Sequence, residues 1–392
     1  MTWIACELHT HTLHSDGRQT LRELAEGAVK LGFGAIALTD HNTMSGLDGK
    51  EEIEREFGLT IIPGMEWTTF YGHMVTIGMS EFADWRQAGR SDIDRGIAEV
   101  HRLGGIAGLA HPFRIGSPAC TGCFWEYEVG DWNAVDYIEV WSGTFPSIQT
   151  DNRRAFKLWT AKLNEGYRIA AVSGRDWHAQ EDTDEPISVT YLEIEDRSGE
   201  AEEEAGASGD QEAGTEAEAS LREARLIRAL GQGRACVTIG PLLTMTLEAG
   251  GKTWPVGSAV PAALPGTGGT VPETNEAVRV KLSLDFTVRS GLWSLPGQMF
   301  RLKLCSNLGE EVNLDLPFAG NRPVEHEHEH EHEEDASSLW FEREAELPGS
   351  DTAAPRIWLR AELWGTVRGA YTRIAFTNAV YFDSEKEGGG SR

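Results

Sequence analysis

Between residues 3 and 173, short apolar runs alternate with segments in which apolar residues recur every three or four positions. The runs at 3–8, 35–39, 60–63, 73–78, 106–110, 137–141 and 168–173 predict seven strands, mostly of the kind buried on both faces. Between them, Leu21, Leu24, Ala28 and Leu31 precede Gly32, Ile93, Ile97, Val100 and Leu103 precede Gly104, and Phe156, Trp159 and Leu163 precede Gly166. Each set predicts an amphipathic helix that stops at its glycine. Alternating βα units of this length predict a parallel sheet, open or closed into a barrel.

A further strand is expected at 188–194, followed by a stretch, 200–220, made almost wholly of Glu, Ala, Gly, Ser and Asp. It has too little apolar surface to offset chain ordering, so a disordered insertion is expected at about 197–220. Helical spacing resumes at Leu221, Leu226 and Leu230. From 241 onward the period changes to two, as in the runs 278–284 and 357–363, with Gly and Pro clusters between them. This predicts a first domain over 1–240, a β-sandwich-like domain over 241–386 and a disordered tail at 387–392.

The chain of 392 residues has room for two or three domains, and no run reaches the roughly 18 apolar residues of a membrane helix. The first residues show no basic, apolar and small-residue leader pattern, so a cytoplasmic protein is expected. Its net charge is −27, but residues 195–218 carry −9 of it and the His/Glu-rich loop 325–335 another −7, leaving −11 for the remainder. That balance disfavours stable binding to duplex nucleic acid, which needs many Lys and Arg contacts to phosphate. It leaves a small phosphorylated substrate open. Five cysteines in a chain of this size argue against a disulfide framework, and Cys120-Thr121-Gly122-Cys123 reads as an incidental loop.

The histidines change the picture most. Of 12, eight lie between 9 and 178 and four form the alternating run at 326, 328, 330 and 332. His9 and His11 end the first expected strand, with Asp16 in the next loop, and Asp40 and His41 follow the second. Glu66 follows the third, His73 begins the fourth, His111 follows the fifth, and Asp176 with His178 follows the seventh. Loops after the strands of a parallel barrel converge at one face, and catalytic groups gather there. Imidazole and carboxylate suit manganese, zinc and iron, and a carboxylate can bridge two ions. A buried cluster of so many polar groups would otherwise carry a penalty of several kcal/mol per unpaired member. Spacing does not assign the ligands to individual ions. His14 and His101 stand outside the series, and His101 falls in a helix pattern.

These residues resemble the motif series of the PHP (polymerase and histidinol phosphatase) superfamily: His9-Thr10-His11 with Ser15-Asp16-Gly17, Thr39-Asp40-His41-Asn42, Pro63-Gly64-Met65-Glu66, Gly72-His73, Ala110-His111-Pro112 and Asp176-Trp177-His178. The segments 100–105, 137–141, 233–241 and 375–381 are similar to its CehA/McbA branch. The resemblance implies a distorted (β/α)7 barrel holding two or three divalent ions. Carried over by position, His9, His11, Glu66 and Asp176 hold one ion, Glu66 bridges to a second with His73 and His111, and Asp16, His41 and His178 hold the third. Arg175 and Trp177 depart from the family pattern, which has Ser before this Asp and a small or polar residue after it.

Ions bridged by a carboxylate lower the pKa of bound water and polarise a phosphoryl or carbonyl oxygen. The expected reaction is hydroxide attack on a small phosphoester, with Asp176, Glu66 and His178 at the reacting centre and Arg114, Arg175 and Arg18 available to the phosphate. Two other readings stay open: carboxyl or carbamate ester hydrolysis, which the CehA-like features imply, and a non-catalytic metal-stabilised binding module. Sequence does not decide the oligomeric state.

Overall fold

The computed structural model describes residues 1–116, 122–195, 211–261, 278–321, 340–347 and 355–383. The chain divides into two compact units, one of residues 1–159 and 169–235, the other of 160–168 and 236–392.

In the first unit the elements run β1 (Thr2–Thr10), α1 (Leu21–Lys30), β2 (Ala35–Leu38), α2 (Lys50–Phe57), β3 (Thr60–Thr69), β4 (Gly72–Ile77), α3 (Ile93–Arg102), β5 (Ile106–Leu109), β6 (Tyr137–Ser142), α4 (Thr150–Asn164), β7 (Ala170–Gly174), β8 (Val189–Ile194) and α5 (Gln211–Gly231). α1 starts on a reciprocal cap: Thr20 Oγ1 accepts from Glu23 N and the Glu23 carboxylate accepts from Thr20 N. Its buried face is Leu21, Leu24, Ala25 and Ala28, four of the residues whose spacing predicts the helix or lie beside them. α3 buries Ile93, Ile97 and Val100 in the same way.

The sheet order is β8-β1-β2-β3-β4-β5-β6-β7. β1–β2, β2–β3, β5–β6 and β6–β7 are parallel, whereas β3–β4 and β4–β5 are antiparallel. The fold is therefore mixed α/β, and the expected run of parallel units is interrupted in its middle. β3 continues to Thr69, past the expected end at 63, because Met65, Glu66 and Trp67 extend its buried run. A tight turn at Phe70 and Tyr71 then sends the chain straight back, with Gly72 at φ 141°.

The described strand pairing does not close the expected (β/α)7 barrel. β7 ends the sheet, and among the described residues its continuation pairs with the end of β1 at an isolated parallel bridge, Thr10 to Trp177. Beneath the strand ends, Leu8, Ala37, Ile62, Val75, Tyr137 and Val172 share a core with Leu226 and Leu230 of α5. Burial of each aliphatic side chain contributes about 1.5–3 kcal/mol. α5 begins at Gln211, inside the stretch expected to be a disordered insertion. Glu and Ala are good helix formers, so they extend a helix already anchored by buried Leu226, Ala229 and Leu230. Residues 196–210 lie outside the described residues.

The second unit is rich in strands. They are β9 (Ala235–Thr238), β10 (Leu242–Ala249), β11 (Lys252–Pro255), β12 (Ala259–Val260), β13 (Val278–Asp285), β14 (Leu295–Ser306), β15 (Gly309–Asn321), β16 (Trp340–Leu347), β17 (Trp358–Val367), β18 (Ala370–Thr377) and β19 (Val380–Phe382). β10, β11, β13 and β16 form one antiparallel sheet, and β14, β15, β17, β18 and β9 pair antiparallel in another. β10 packs against β17 and β18. Strict alternation in β13, with Val280, Leu282 and Leu284 buried and Arg279 and Lys281 exposed, is the period-two pattern of a half-buried strand. Glu362 on β17 is buried between Arg360 and Arg373, and their charges hold its carboxyl down at about 2 against the effect of burial.

The run His326–His332 and Cys120 lie outside the described residues. Cys6, Cys236 and Cys305 are free thiols, whereas Cys123 is disulfide-bonded, contrary to the reading of that segment as an incidental loop. Among the described residues no helix is long and apolar enough to cross a membrane.

Candidate metal centre

The ends of β1 to β7 bring all nine expected ligands into three adjoining groups: His9, His11, Glu66 and Asp176; Glu66, His73 and His111; and His11, Asp16, His41 and His178. Period-two alternation explains the aim of several side chains. Glu66 and Thr68 share one face of β3 and Trp67 the other, where its ring packs against Gly96 of α3. Trp67 therefore backs the centre and does not line it. His9 and His11 follow each other on one face as β1 ends, and both are fully buried.

In the first group His9 Nε2 is 3.2 Å from Glu66 Oε2 and 3.4 Å from Asp176 Oδ1, and His11 Nε2 is 3.5 Å and 3.0 Å from the same two atoms. In the second, Glu66 Oε1 is 2.9 Å from His73 Nδ1 and 3.2 Å from His111 Nε2. In the third, Asp16 Oδ1 is 3.3 Å from His41 Nε2 and 3.1 Å from His178 Nε2. Two donors bound to one ion at about 2.1 Å with tetrahedral angles lie roughly 3.4 Å apart. The first group matches that edge length. His9 Nε2 and Glu66 Oε2 face each other, fully buried, and neither makes a hydrogen bond. An ion between them removes the penalty of two orphaned buried polar atoms, so the donors fit a divalent metal.

The groups differ in exposure. The first two are buried except for Asp176, which is partly covered, whereas the Asp16 side chain is 61% exposed and that of His178 32%. Burial works against charge on Glu66, but His9, His111, His41 and His73 around it hold its carboxyl well below the usual range. Burial likewise opposes ionisation of Asp176, and His9, His11 and Arg114 hold it well below. Burial would lower His41, yet Asp16 and Glu66 push it up to about 10. His11 falls below its ordinary value because burial outweighs Asp176.

Backbone strain collects here. Asn42, His111 and Asp176 all have positive φ, at 57°, 26° and 56°. Such conformations have a cost of order 1–3 kcal/mol each and persist where surroundings over-determine them. Asn42 shows how: its side chain donates to Thr68 O and accepts from Thr68 N, fixing the residue next to His41 against β3.

Of the expected arginines, Arg114 is seated at the centre. Its Nη1 pairs with Asp176 Oδ2 and its Nη2 donates to Ser142 Oγ over 2.6 Å. The Arg175 guanidinium instead lies 4.7 Å over the Trp177 ring, and among the described residues it makes no hydrogen bond or ion pair with the three groups. Arg18 is exposed and reaches the centre only through its backbone N, which donates to His178 O over 2.6 Å. His14 is exposed, with Nδ1 2.8 Å from Ser45 Oγ, and His101 pairs with Asp136 on the far end of α3, in keeping with its helix position.

The sequence reading gave no role to Glu139 and named Asp40 only as a strand-end carboxylate. Glu139, in the middle of β6, accepts from His9 Nδ1 over 2.7 Å. Asp40 accepts from Thr12 N, Thr12 Oγ1 and Ser15 Oγ, and so shapes the loop that carries Asp16. A lone Glu inside the apolar run 137–142 was the available signal for the first.

Residues 7–111 match the family model of the PHP domain, which supports that superfamily for the segment from His9 to His111. The chain is also 28% identical over 131 residues to an uncharacterized protein of Methanocaldococcus jannaschii, covering 29% of this chain and 69% of that protein. It is 40% identical over 67 residues to the 5'-3' exoribonuclease Rnm of Salmonella typhimurium, covering 17% of this chain and only 23% of that enzyme. Among solved structures, a two-domain protein of Bacteroides vulgatus containing a predicted PHP-like metal-dependent phosphoesterase aligns with a TM-score of 0.47 and 15% identity, over 97% of this chain and 95% of that one.

Proposed function

We propose that this chain is a metal-dependent phosphoesterase acting on a small phosphorylated or nucleotide-like compound. One observation carries the reading: three adjoining sets of metal-competent donors gather at the strand ends, two of them sharing the buried carboxylate Glu66 and two sharing His11. The PHP domain match and the resemblance of 67 residues to an exoribonuclease support chemistry at phosphorus. Divalent ions bound to these residues, of manganese, zinc or iron, supply a water of lowered pKa and a Lewis acid for a phosphoryl oxygen.

The residues of the chain do the rest. Glu66, with both oxygens committed to different groups, keeps two of the sites at a fixed separation. Glu139 orients the His9 ring by accepting from Nδ1, leaving Nε2 for metal. Arg114, held by Asp176 and Ser142, retains N–H donors for phosphate oxygens and neutralises charge that builds on them. Arg175, whose guanidinium lies over the Trp177 ring, is given no contact with the phosphate.

The test is hydrolysis by manganese-loaded protein of p-nitrophenyl phosphate, bis-p-nitrophenyl phosphate and p-nitrophenyl acetate, with Asp176→Ala as blank. Phosphate turnover lost in the variant supports the proposal and separates monoester from diester activity. Preference for acetate replaces it with the carboxyl or carbamate ester reading of the CehA/McbA branch. No variant-sensitive rate on any substrate replaces it with a binding module.

A further inference from the structure

The centre is assembled across a seam. His9 and His11 come from β1, while Asp176 and His178 follow β7, and the two strands share no ladder. Backbone bonds join them where Trp177 N donates to His9 O over 3.0 Å, His11 N to Trp177 O over 2.9 Å and Arg18 N to His178 O over 2.6 Å, and Arg175 N donates to the Glu7 carboxylate over 2.8 Å. Gln19 sits on this junction, 1% exposed. Its Nε2 donates to His11 O and to Trp177 O, both at 3.0 Å, and its Oε1 accepts from Gln180 Nε2 at 2.5 Å. Two carbonyl acceptors can be served only by the NH₂ end of the amide, so the chemistry fixes its orientation. The backbone of Gln19 takes part as well: its O accepts from Leu13 N at 2.9 Å, which closes the loop carrying Asp16. Gly17 lies so close beneath that a Cβ there would stand 2.6 Å from His11 C and O.

We propose that Gln19 is a positioning residue for the metal centre, which locks the His9–His11, Asp16 and Asp176–His178 segments into one spacing. The inference rests on the metal-dependent reading above. Gln19 touches no donor atom of the three groups; it holds the carbonyls on either side of the seam. Every ligand of the first and third groups except Glu66 and His41 belongs to one of the three segments it joins. The group Glu66, His73 and His111 comes from β3, β4 and the end of β5, none of which crosses the seam, and serves as an internal reference.

The experiment compares manganese retention by wild type and Gln19→Met, a side chain of similar length without donors, against rising chelator. Bound metal is counted after desalting and folding is followed by circular dichroism. The expected result is that Gln19→Met loses the seam-spanning ions at chelator concentrations at least tenfold below wild type. It keeps the ion at Glu66, His73 and His111, and that ion disappears in Gln19→Met combined with His73→Ala. Retention equal to wild type, with or without a lower melting temperature, overturns the proposal and reduces Gln19 to packing. Should Gln19→Met fail to fold, Gln180→Ala removes only the bond that holds the amide in place. A two- to fivefold earlier loss of the seam-spanning ions then supports the proposal, and none overturns it. A wild-type protein that retains no manganese overturns the metal reading itself, a separate result.

Discussion

Glu139 Oε2 accepts a hydrogen bond from His9 Nδ1 over 2.7 Å, and Gly174 packs closely against both residues. The carboxylate fixes the ring's tautomer and raises the basicity of Nε2, the atom that faces Glu66 and Asp176. Glu139→Gln is expected to weaken manganese binding by about 10–100-fold, the usual cost of losing such a partner, while the protein stays folded. Titration with a metal-sensitive dye checks it; affinity equal to wild type would show that His9 is oriented by packing alone.

Gly174 gives an independent way to disturb the same pair. A Cβ there would stand 2.5 Å from His9 Cβ and 3.2 Å from Glu139 Oε2. Neither the β-carbon of a fully buried ring nor its carboxylate partner can move aside cheaply. Gly174→Ala is expected to lower stability by about 1–3 kcal/mol through overpacking and to weaken metal binding together with it. Urea unfolding of the metal-free and metal-loaded variant separates the two effects.

Exposure ranks the ions. Asp16, His41 and His178 are the open group, whereas Glu66, His73 and His111 are buried. Stepwise chelation is expected to remove the ion held by Asp16 first, and Asp16→Ala to lower the metal content by one ion and leave the rest in place. Simultaneous loss of all metal in that variant would show that the groups load as a unit. Complete removal is expected to abolish turnover and to lower the melting temperature, because binding energy of a site formed only in the folded chain contributes to folding.

Away from the centre, His101 and Asp136 form a pair that reads out pH. The hydrogen bond to Asp136 raises His101 above its ordinary value of 6.5, with burial opposing. A group whose folded value is raised stabilises fully below its unfolded value and loses that contribution as pH climbs through the folded one. His101→Gln is therefore expected to reduce stability at pH 5.5 by a few tenths to about 1 kcal/mol, the range for partly exposed pairs, and to have a smaller effect at pH 9. Unfolding curves at the two pH values decide it; an equal loss at both would mean that packing of α3, and not charge, is what the histidine contributes.

Much of the centre is legible from residue types and their spacing. Imidazoles and carboxylates at the ends of apolar runs announce ligands, because a strand brings its last residues to one end of a sheet whatever its neighbours are. His9, His11, Glu66, His111 and Asp176 can be named on that ground alone, and β13 or α3 on the period of their apolar positions. Gln19 could not be, and Glu139 only as a lone Glu inside an apolar run, since neither residue type says which partner it will touch. Their partners lie 130 residues away at His9 and 158 residues away at Trp177.

The same distinction runs through the fold. The alternation of residues 60–77 specifies strands but not direction, and the antiparallel return of β4 depends on a turn closing at Gly72. Whether β1 and β7 pair fully or meet at a single bridge is likewise decided by the whole curvature of the sheet, not by either strand. The sequence by itself determined which atoms can bind a metal and which faces must be buried, because those are properties of side chains and of the chain's local period. Only the tertiary structure decided which donors lie together, which carboxylate stands behind His9 and which amide joins the two edges, because each depends on packing between segments far apart in the chain.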